Sequence, residues 1–166
     1  FYFDENTSNL EIDQILEGVT HVFHLANKAH ILNRISLEEK QNILSSNLNL
    51  TIKLAKQSIK SGVKKFIYVS SIKVNGTFSS SPFSYLDSPN PKDVYANNKL
   101  EIENKLIDLV RDSKMDLIIV RPPLVYGAGA KGNFRNLKKL VDLNLPLPFA
   151  NLNNKRSFIS IQNLCS

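Results

Sequence analysis

Tyr95 and Lys99 stand four residues apart in Tyr95-Ala96-Asn97-Asn98-Lys99, so in a helix both side chains leave from one face. A phenol ionises at about pH 10, too high for a base at neutral pH. A neighbouring ammonium stabilises the phenolate and is expected to lower that value, which lets Tyr95 exchange a proton with a substrate hydroxyl. Taken alone the spacing is common and reads as a surface pair of little energetic weight. Ser70-Ser71 changes that reading. These serines close the β-rich run Lys65–Ser71 one loop earlier, and they bring an alcohol to the same place as the phenol and the amine. Ser71 alone would read as a turn or cap residue.

The surrounding pattern supplies the elements that such a site needs. Val19–Ala26 is a short apolar run of strand type. Leu37–Ser61 repeats apolar residues with nearly helical period, and Gly62 terminates it. Gly76–Pro91 is a Ser/Pro-rich loop, Asp93 caps a helix from Val94 to about Asp112, and Leu117–Val120 is a third strand closed by Pro122-Pro123. Asn133–Leu143 is a further amphipathic stretch. Strand and helix alternate, which predicts an α/β fold: a Rossmann-like doubly wound parallel sheet of right-handed βαβ units, covered on both faces. Ligands in such sheets bind at the carboxyl ends of the strands. Here those ends are His24–Asn27, Ser70–Ile72 and Arg121–Pro123.

The bulk composition narrows the function classes. Of the 166 residues, 42% are hydrophobic and 22% charged, the balance of a folded domain. The net charge of +6 is carried by scattered lysines such as Lys53, Lys56, Lys60, Lys64 and Lys65, without the interleaved aromatics of a base-stacking surface, so no nucleic-acid partner is expected. No apolar run reaches the roughly 18–20 residues needed to cross a bilayer. The first residues do not resemble a signal peptide. The single cysteine, Cys165, cannot form an internal disulfide and reads as inert; a cytoplasmic setting is expected. His21, His24 and His30 lack nearby acidic ligands and make no metal set; His24 reads as a packing residue, and His30 and Lys28 as exposed unless they reach substrate or cofactor.

These segments, in order, resemble the extended short-chain dehydrogenase/reductases, within the NAD-dependent epimerase/dehydratase group typified by UDP-galactose 4-epimerase. His24-Leu25-Ala26 resembles the group's segment after its fourth strand. Asn47-Leu48-Asn49-Leu50-Thr51 resembles its Asn-x-Asn-x-Thr helix segment, and Phe66–Gly76 its Ser-Ser…Val-x-Gly strand. Arg121-Pro122-Pro123-Leu124-Val125-Tyr126-Gly127 resembles the segment near the nicotinamide, and Arg156-Ser157-Phe158-Ile159 the Arg-x-Phe-Ile segment. The resemblance implies an enzyme with Ser71, Tyr95 and Lys99 as the catalytic set. Ser71 would hydrogen-bond the reacting sugar oxygen, Tyr95 would be the acid/base, and Lys99 would hold the nicotinamide ribose and lower the Tyr95 pKa. It implies NAD as cofactor, with NADP left open, and Ala26, Asn47, Ser70 and Pro123 lining it together with Tyr95 and Lys99. It implies a nucleotide-sugar substrate, with Arg156 on the diphosphate and Lys73 nearby, and a homodimer formed through a four-helix face that includes Leu37–Ser61 and Val94–Asp112.

Two departures bear on function. The G-x-G-x-x-G loop that receives the pyrophosphate after the first strand is absent; Gly127–Gly132 has that spacing but follows Val125-Tyr126 late in the fold. The first βα units and part of the substrate domain are therefore expected to be missing, with residues 1–130 the central and C-terminal part of the nucleotide-binding domain and 131–166 the start of the substrate region. The chain by itself is then expected to bind NAD poorly or not at all. Secondly, Ile72-Lys73-Val74 stands where the 4,6-dehydratases carry an Asp-Glu pair, which disfavours elimination. The resulting expectation is a UDP-hexose 4-epimerase working by reversible hydride transfer at C4, in bacterial surface polysaccharide synthesis. The alternatives are an NAD(P)H-dependent 4-keto-sugar reductase and, in another class, a non-catalytic nicotinamide sensor, against which the retention of Tyr95 and Lys99 argues.

Overall fold

The computed structural model describes residues 4, 6–27, 36–129, 133–143 and 155–166. They fall into two compact units, residues 1–121 and 122–166.

The first unit begins with α1 (Asn9–Ile15), capped by a Ser8/Glu11 capping box. β1 (His21–His24) follows, then α2 (Leu37–Lys60), β2 (Lys65–Val69), a single 3₁₀ turn over Ile72–Val74, α3 (Val94–Val110) and β3 (Asp116–Val120). Ser36 and Glu39 form a second capping box at the start of α2, where serine oxygen accepts from the Glu39 N–H and the glutamate accepts from the Ser36 N–H. At its other end Gly62 takes φ +75°, the left-handed conformation that lets the chain leave the helix. Asp93 caps α3 by accepting the Ala96 N–H at 2.7 Å.

The three strands lie side by side in the order β1-β2-β3, all parallel. Val22 pairs with Phe66 and Phe66 with Leu117; His24 pairs with Tyr68 and Tyr68 with Ile119. Two right-handed crossovers advancing in one direction along the sheet set their helices on the same side, and α2 and α3 do pack on each other. Strand alternation sends Val22, Phe66, Tyr68 and Leu117 to that side, where they meet Ile12, Leu16, Ala55, Ile102, Leu106 and Met115 in the core. Burying Phe66 contributes roughly 1.5–3 kcal/mol. The opposite face carries Phe23 (67% exposed) and Ile118 (43%) on either side of the buried Ile67, and the parallel α/β architecture is the one expected.

The second unit holds β4 (Leu124–Tyr126) and β5 (Phe158–Ser160), paired in parallel with Leu124 opposite Phe158, together with α4 (Asn133–Asp142) and α5 (Ile161–Cys165). A Cβ on Gly127 would lie 2.6 Å from Ile161 Cγ2, so only glycine allows the end of β4 to approach the start of α5 this closely.

Candidate active site

The carboxyl ends of β1, β2 and β3 form one rim of the first unit's sheet, and α3 starts beside it. Lys99 reaches back from the second turn of α3 to donate from Nζ to the Val69 carbonyl at 2.9 Å, the last residue of β2. Its ammonium lies 4.7 Å from the centre of the Tyr68 ring and 5.9 Å from that of Tyr95. The side chain is buried, and burial pulls the Lys99 pKa down to about 8 even though Glu103, one turn further along α3, favours the charged form.

Tyr95 is half-buried, and its phenol pKa is raised, first by burial and then by the Asp93 carboxylate. This differs from the expected depression by Lys99. The ammonium sits on the Val69 carbonyl and over the Tyr68 ring, so its charge is directed at the strand, and desolvation dominates at the phenol.

Ser71 and Tyr95 are tied together through Lys73. The Ser71 hydroxyl oxygen accepts the Lys73 backbone N–H at 3.3 Å, and Lys73 Nζ pairs with Asp93 Oδ2 at 2.9 Å. Asp93 is the cap of the helix on which Tyr95 is the second residue. Burial works to raise the Asp93 carboxyl, but the hydrogen bonds from Lys73 and Ala96 outweigh it and hold it below the ordinary carboxylate range. Lys73, expected at the substrate, thus has its ammonium on Asp93. Ser70 donates its backbone N–H to Val120 O at 2.8 Å, while its hydroxyl is buried without a hydrogen-bond partner among the described residues.

At the end of β1, His24 Nε2 lies 2.8 Å from Thr51 Oγ1, and Thr51 donates its own hydroxyl proton to the Asn47 carbonyl at 2.7 Å. That leaves His24 as the donor to Thr51, with its proton on Nε2. Burial, then the Lys99 charge, lowers the His24 pKa to about 4, so the ring is neutral at pH 7. Asn47 is buried and donates from Nδ2 to Asn27 Oδ1 at 2.9 Å; Ala26 is exposed just beyond the strand. Lys28 and His30 lie outside the described residues. In the second unit Pro123 directly precedes β4 and Arg156 is exposed ahead of β5. Cys165 is a free, exposed thiol. Among the described residues no cluster of His, Cys, Asp or Glu could hold a metal ion.

The sequence reading did not single out Glu103 or Asn75. Glu103 is buried and receives Arg121 Nε at 3.1 and 3.2 Å and Arg121 Nη2 at 2.6 Å, while Arg121 Nη1 donates to Asn75 Oδ1 at 3.1 Å. This network fastens the end of β3 to α3 and to the residue after the 3₁₀ turn. Its signal was legible: Tyr95, Lys99 and Glu103 recur every four residues along one helix face.

The parallel βαβ sheet is the architecture the sequence resemblance implied, and comparison with known proteins agrees on fold and family. A family model described as the NAD dependent epimerase/dehydratase family matches residues 4–166. The chain belongs to that family. It is 41% identical over 167 residues to UDP-glucose 4-epimerase of Vibrio cholerae, covering 99% of this chain and 51% of that one. It is 31% identical over 156 residues to an uncharacterized protein of Sinorhizobium fredii, covering 93% of this chain and 38% of the other. The chain therefore spans about half or less of the curated relatives it matches. Among solved structures, it superposes on UDP-glucuronic acid 4-epimerase from Bacillus cereus, in complex with UDP-glucuronic acid and NAD, with TM-score 0.76 and 24% identity, covering 94% of this chain and 51% of that one. UDP-glucose 4-epimerase from Thermotoga maritima, with UDP-glucose, gives 0.75 at 23% identity, with coverages of 94% and 55%. At these identities the superpositions establish the shared fold.

The family's nicotinamide cofactor can be tested against the residues present. Lys99 directs one of its three N–H groups at Val69, which leaves donors for ribose hydroxyls. Ser70 offers a buried hydroxyl that has no protein partner among the described residues. Both observations fit a polar ligand lying along the strand ends.

Proposed function

We propose that the whole protein is an NAD-dependent nucleotide-sugar 4-epimerase of UDP-hexose type, and that this chain carries its acid/base site. The observation that supports the reading is the docking of Lys99 on the Val69 carbonyl, which holds the face of α3 that carries Tyr95 against the end of β2, two residues before Ser71. The name of the Vibrio cholerae relative supports the sugar class.

Tyr95 Oη takes the proton of the sugar 4-hydroxyl and returns it after the ketone has turned its other face. Nicotinamide, when bound, supplies the acceptor and donor of the hydride at C4. Ser71 donates its hydroxyl proton to the reacting oxygen, since its own oxygen already accepts from Lys73. Burial and Asp93 keep the Tyr95 phenol protonated at neutral pH, which suits the proton-returning step. The proton-removing step needs the phenolate, which the Lys99 ammonium, 5.9 Å from the Tyr95 ring centre, would favour against that burial. Lys99 and Ser70 would hold the cofactor, with Ala26, Asn47 and Pro123 along it. Arg156 would pair with the substrate diphosphate, where a guanidinium fork suits phosphate oxygens.

The α2–α3 pair supports a homodimer built as a four-helix face. A cytoplasmic enzyme of bacterial surface polysaccharide synthesis is the setting proposed; no described helix is long and apolar enough to cross a membrane. The deciding experiment incubates the full-length protein, with catalytic NAD, with a UDP-glucose/UDP-galactose type pair. Interconversion at steady nicotinamide absorbance is expected. Stoichiometric consumption of NADH on a 4-keto sugar would replace this reading with the reductase, and no reaction of either kind would end both.

A further inference from the structure

We propose that Tyr68 is a positioning residue for the acid/base site: its buried ring is the platform on which the Lys99 ammonium is docked at the end of β2. The proposal rests on the reading of Lys99 and Tyr95 as the acid/base pair.

Three observations carry it. The Lys99 Nζ lies 4.7 Å from the Tyr68 ring centre and donates to the carbonyl of the very next residue, so ring and carbonyl together fix the amine. The ring is 1% exposed and is itself held by His24, stacked at 5.9 Å with an 18° angle between planes. Attraction between a cation and a π face is greatest where water is excluded. Finally, the Tyr68 hydroxyl is buried with no hydrogen-bond partner among the described residues. A leucine or isoleucine would fill this strand position without stranding a hydroxyl. What only an aromatic residue supplies here is a π face beneath the ammonium.

The other groups around Lys99 do not take over this role. Glu103, one turn along α3, favours the charge, but its carboxylate is engaged by Arg121 from the end of β3. Tyr95 on the same helix and His24 on β1 are neutral at pH 7. Lys73, after β2, is paired with Asp93. The residues that α2 buries are all uncharged.

The test replaces Tyr68 in the full-length protein with phenylalanine and then with phenylalanines carrying progressively more ring fluorines, which weaken the π face while keeping the ring in place. Lys99 is titrated by NMR of ε-carbon-labelled lysine, assigned by its loss in Lys99→Met, and the pH profile of kcat is recorded alongside KM. Tyr68→Phe should leave the midpoint unchanged. Fluorination should lower it stepwise, by about one pH unit in all, with the kcat profile moving alongside and KM unchanged. Tyr68→Leu, read by the same NMR, gives the same downward shift and provides the answer if a fluorinated protein does not fold. A midpoint that stays constant through the series and in Tyr68→Leu overturns the proposal. The titration needs no turnover, so a protein inactive on every nucleotide sugar would defeat the proposed function while the platform is still judged by its own readout.

Discussion

Breaking the Glu103–Arg121 pair should cost more than any other single ionic change in the first unit. The Glu103 side chain is 1% exposed and that of Arg121 22%, with three N···O contacts between them. Removing one partner of a buried pair leaves an uncompensated charge and costs about 3–5 kcal/mol. Glu103→Ala strands the guanidinium, which keeps Asn75 and some water, so about 3 kcal/mol is expected. Arg121→Met strands a fully buried carboxylate, so about 5 kcal/mol is expected. At roughly 2–4 °C per kcal/mol for a chain of this size, these become losses of about 6–12 °C and 10–20 °C in Tm. The double variant Glu103→Leu/Arg121→Met fills the site with apolar volume and should be less destabilised than either single change. Urea unfolding of the set at constant m-value measures all three. The differences should persist at high salt, because a buried pair is poorly screened. Single variants within about 1 kcal/mol of wild type, or a double variant whose loss equals their sum, would mean that the two side chains are not a coupled buried pair.

Other expectations are equally direct. Tyr95→Phe should retain cofactor affinity and lose about 10²-fold or more in kcat, and near-normal turnover would assign the proton transfer elsewhere. The folded-state pKa of His24, about 4, lies below its ordinary 6.5, so the unfolded chain binds the extra proton in that interval. Stability is then fully present above pH 6.5 and falls as pH drops toward 4, by on the order of 3 kcal/mol, and His24→Asn should flatten that slope in urea titrations. Gly127→Ala should destabilise the second unit by about 1–3 kcal/mol through overpacking against Ile161, with Ile161→Ala restoring part of the loss in a double-mutant cycle. Arg156→Ala should raise KM for the nucleotide sugar roughly tenfold or more at similar kcat, and an unchanged KM would remove it from the diphosphate.

The long periodic segments were the legible part of the fold. α2 and α3 lie where apolar spacing, Gly62 and Asp93 set them, β1 and β2 sit within the apolar runs, and β3 starts one residue before its run, at Asp116. The runs overestimated β1 and β2: Thr20, whose carbonyl accepts from the Lys64 and Lys65 N–H groups across to β2, stands just outside the paired strand, and Ser71 turns away to cap the 3₁₀ segment. α1, β4 and β5 were not foreseen, being too short for periodicity to register. At the site, Tyr95 and Lys99 were visible from spacing alone. The direction of the Tyr95 shift was not, because it depends on burial, which a sequence does not display. Tyr68 was hidden for a different reason: an aromatic residue in a strand reads as core, and only coordinates reveal the amine above it.

Every pairing in the three-stranded sheet joins residues separated by a whole helix and its loops. Such a ladder cannot close locally, as a hairpin does. Its order of assembly is therefore set by chain entropy: loop closure must be met before any strand pairing rewards it, which makes folding slow. During that delay β-rich segments such as Phe66–Val69 stand unpaired, so crowding by other nascent chains, rather than intrinsic instability, is the hazard this topology brings to synthesis.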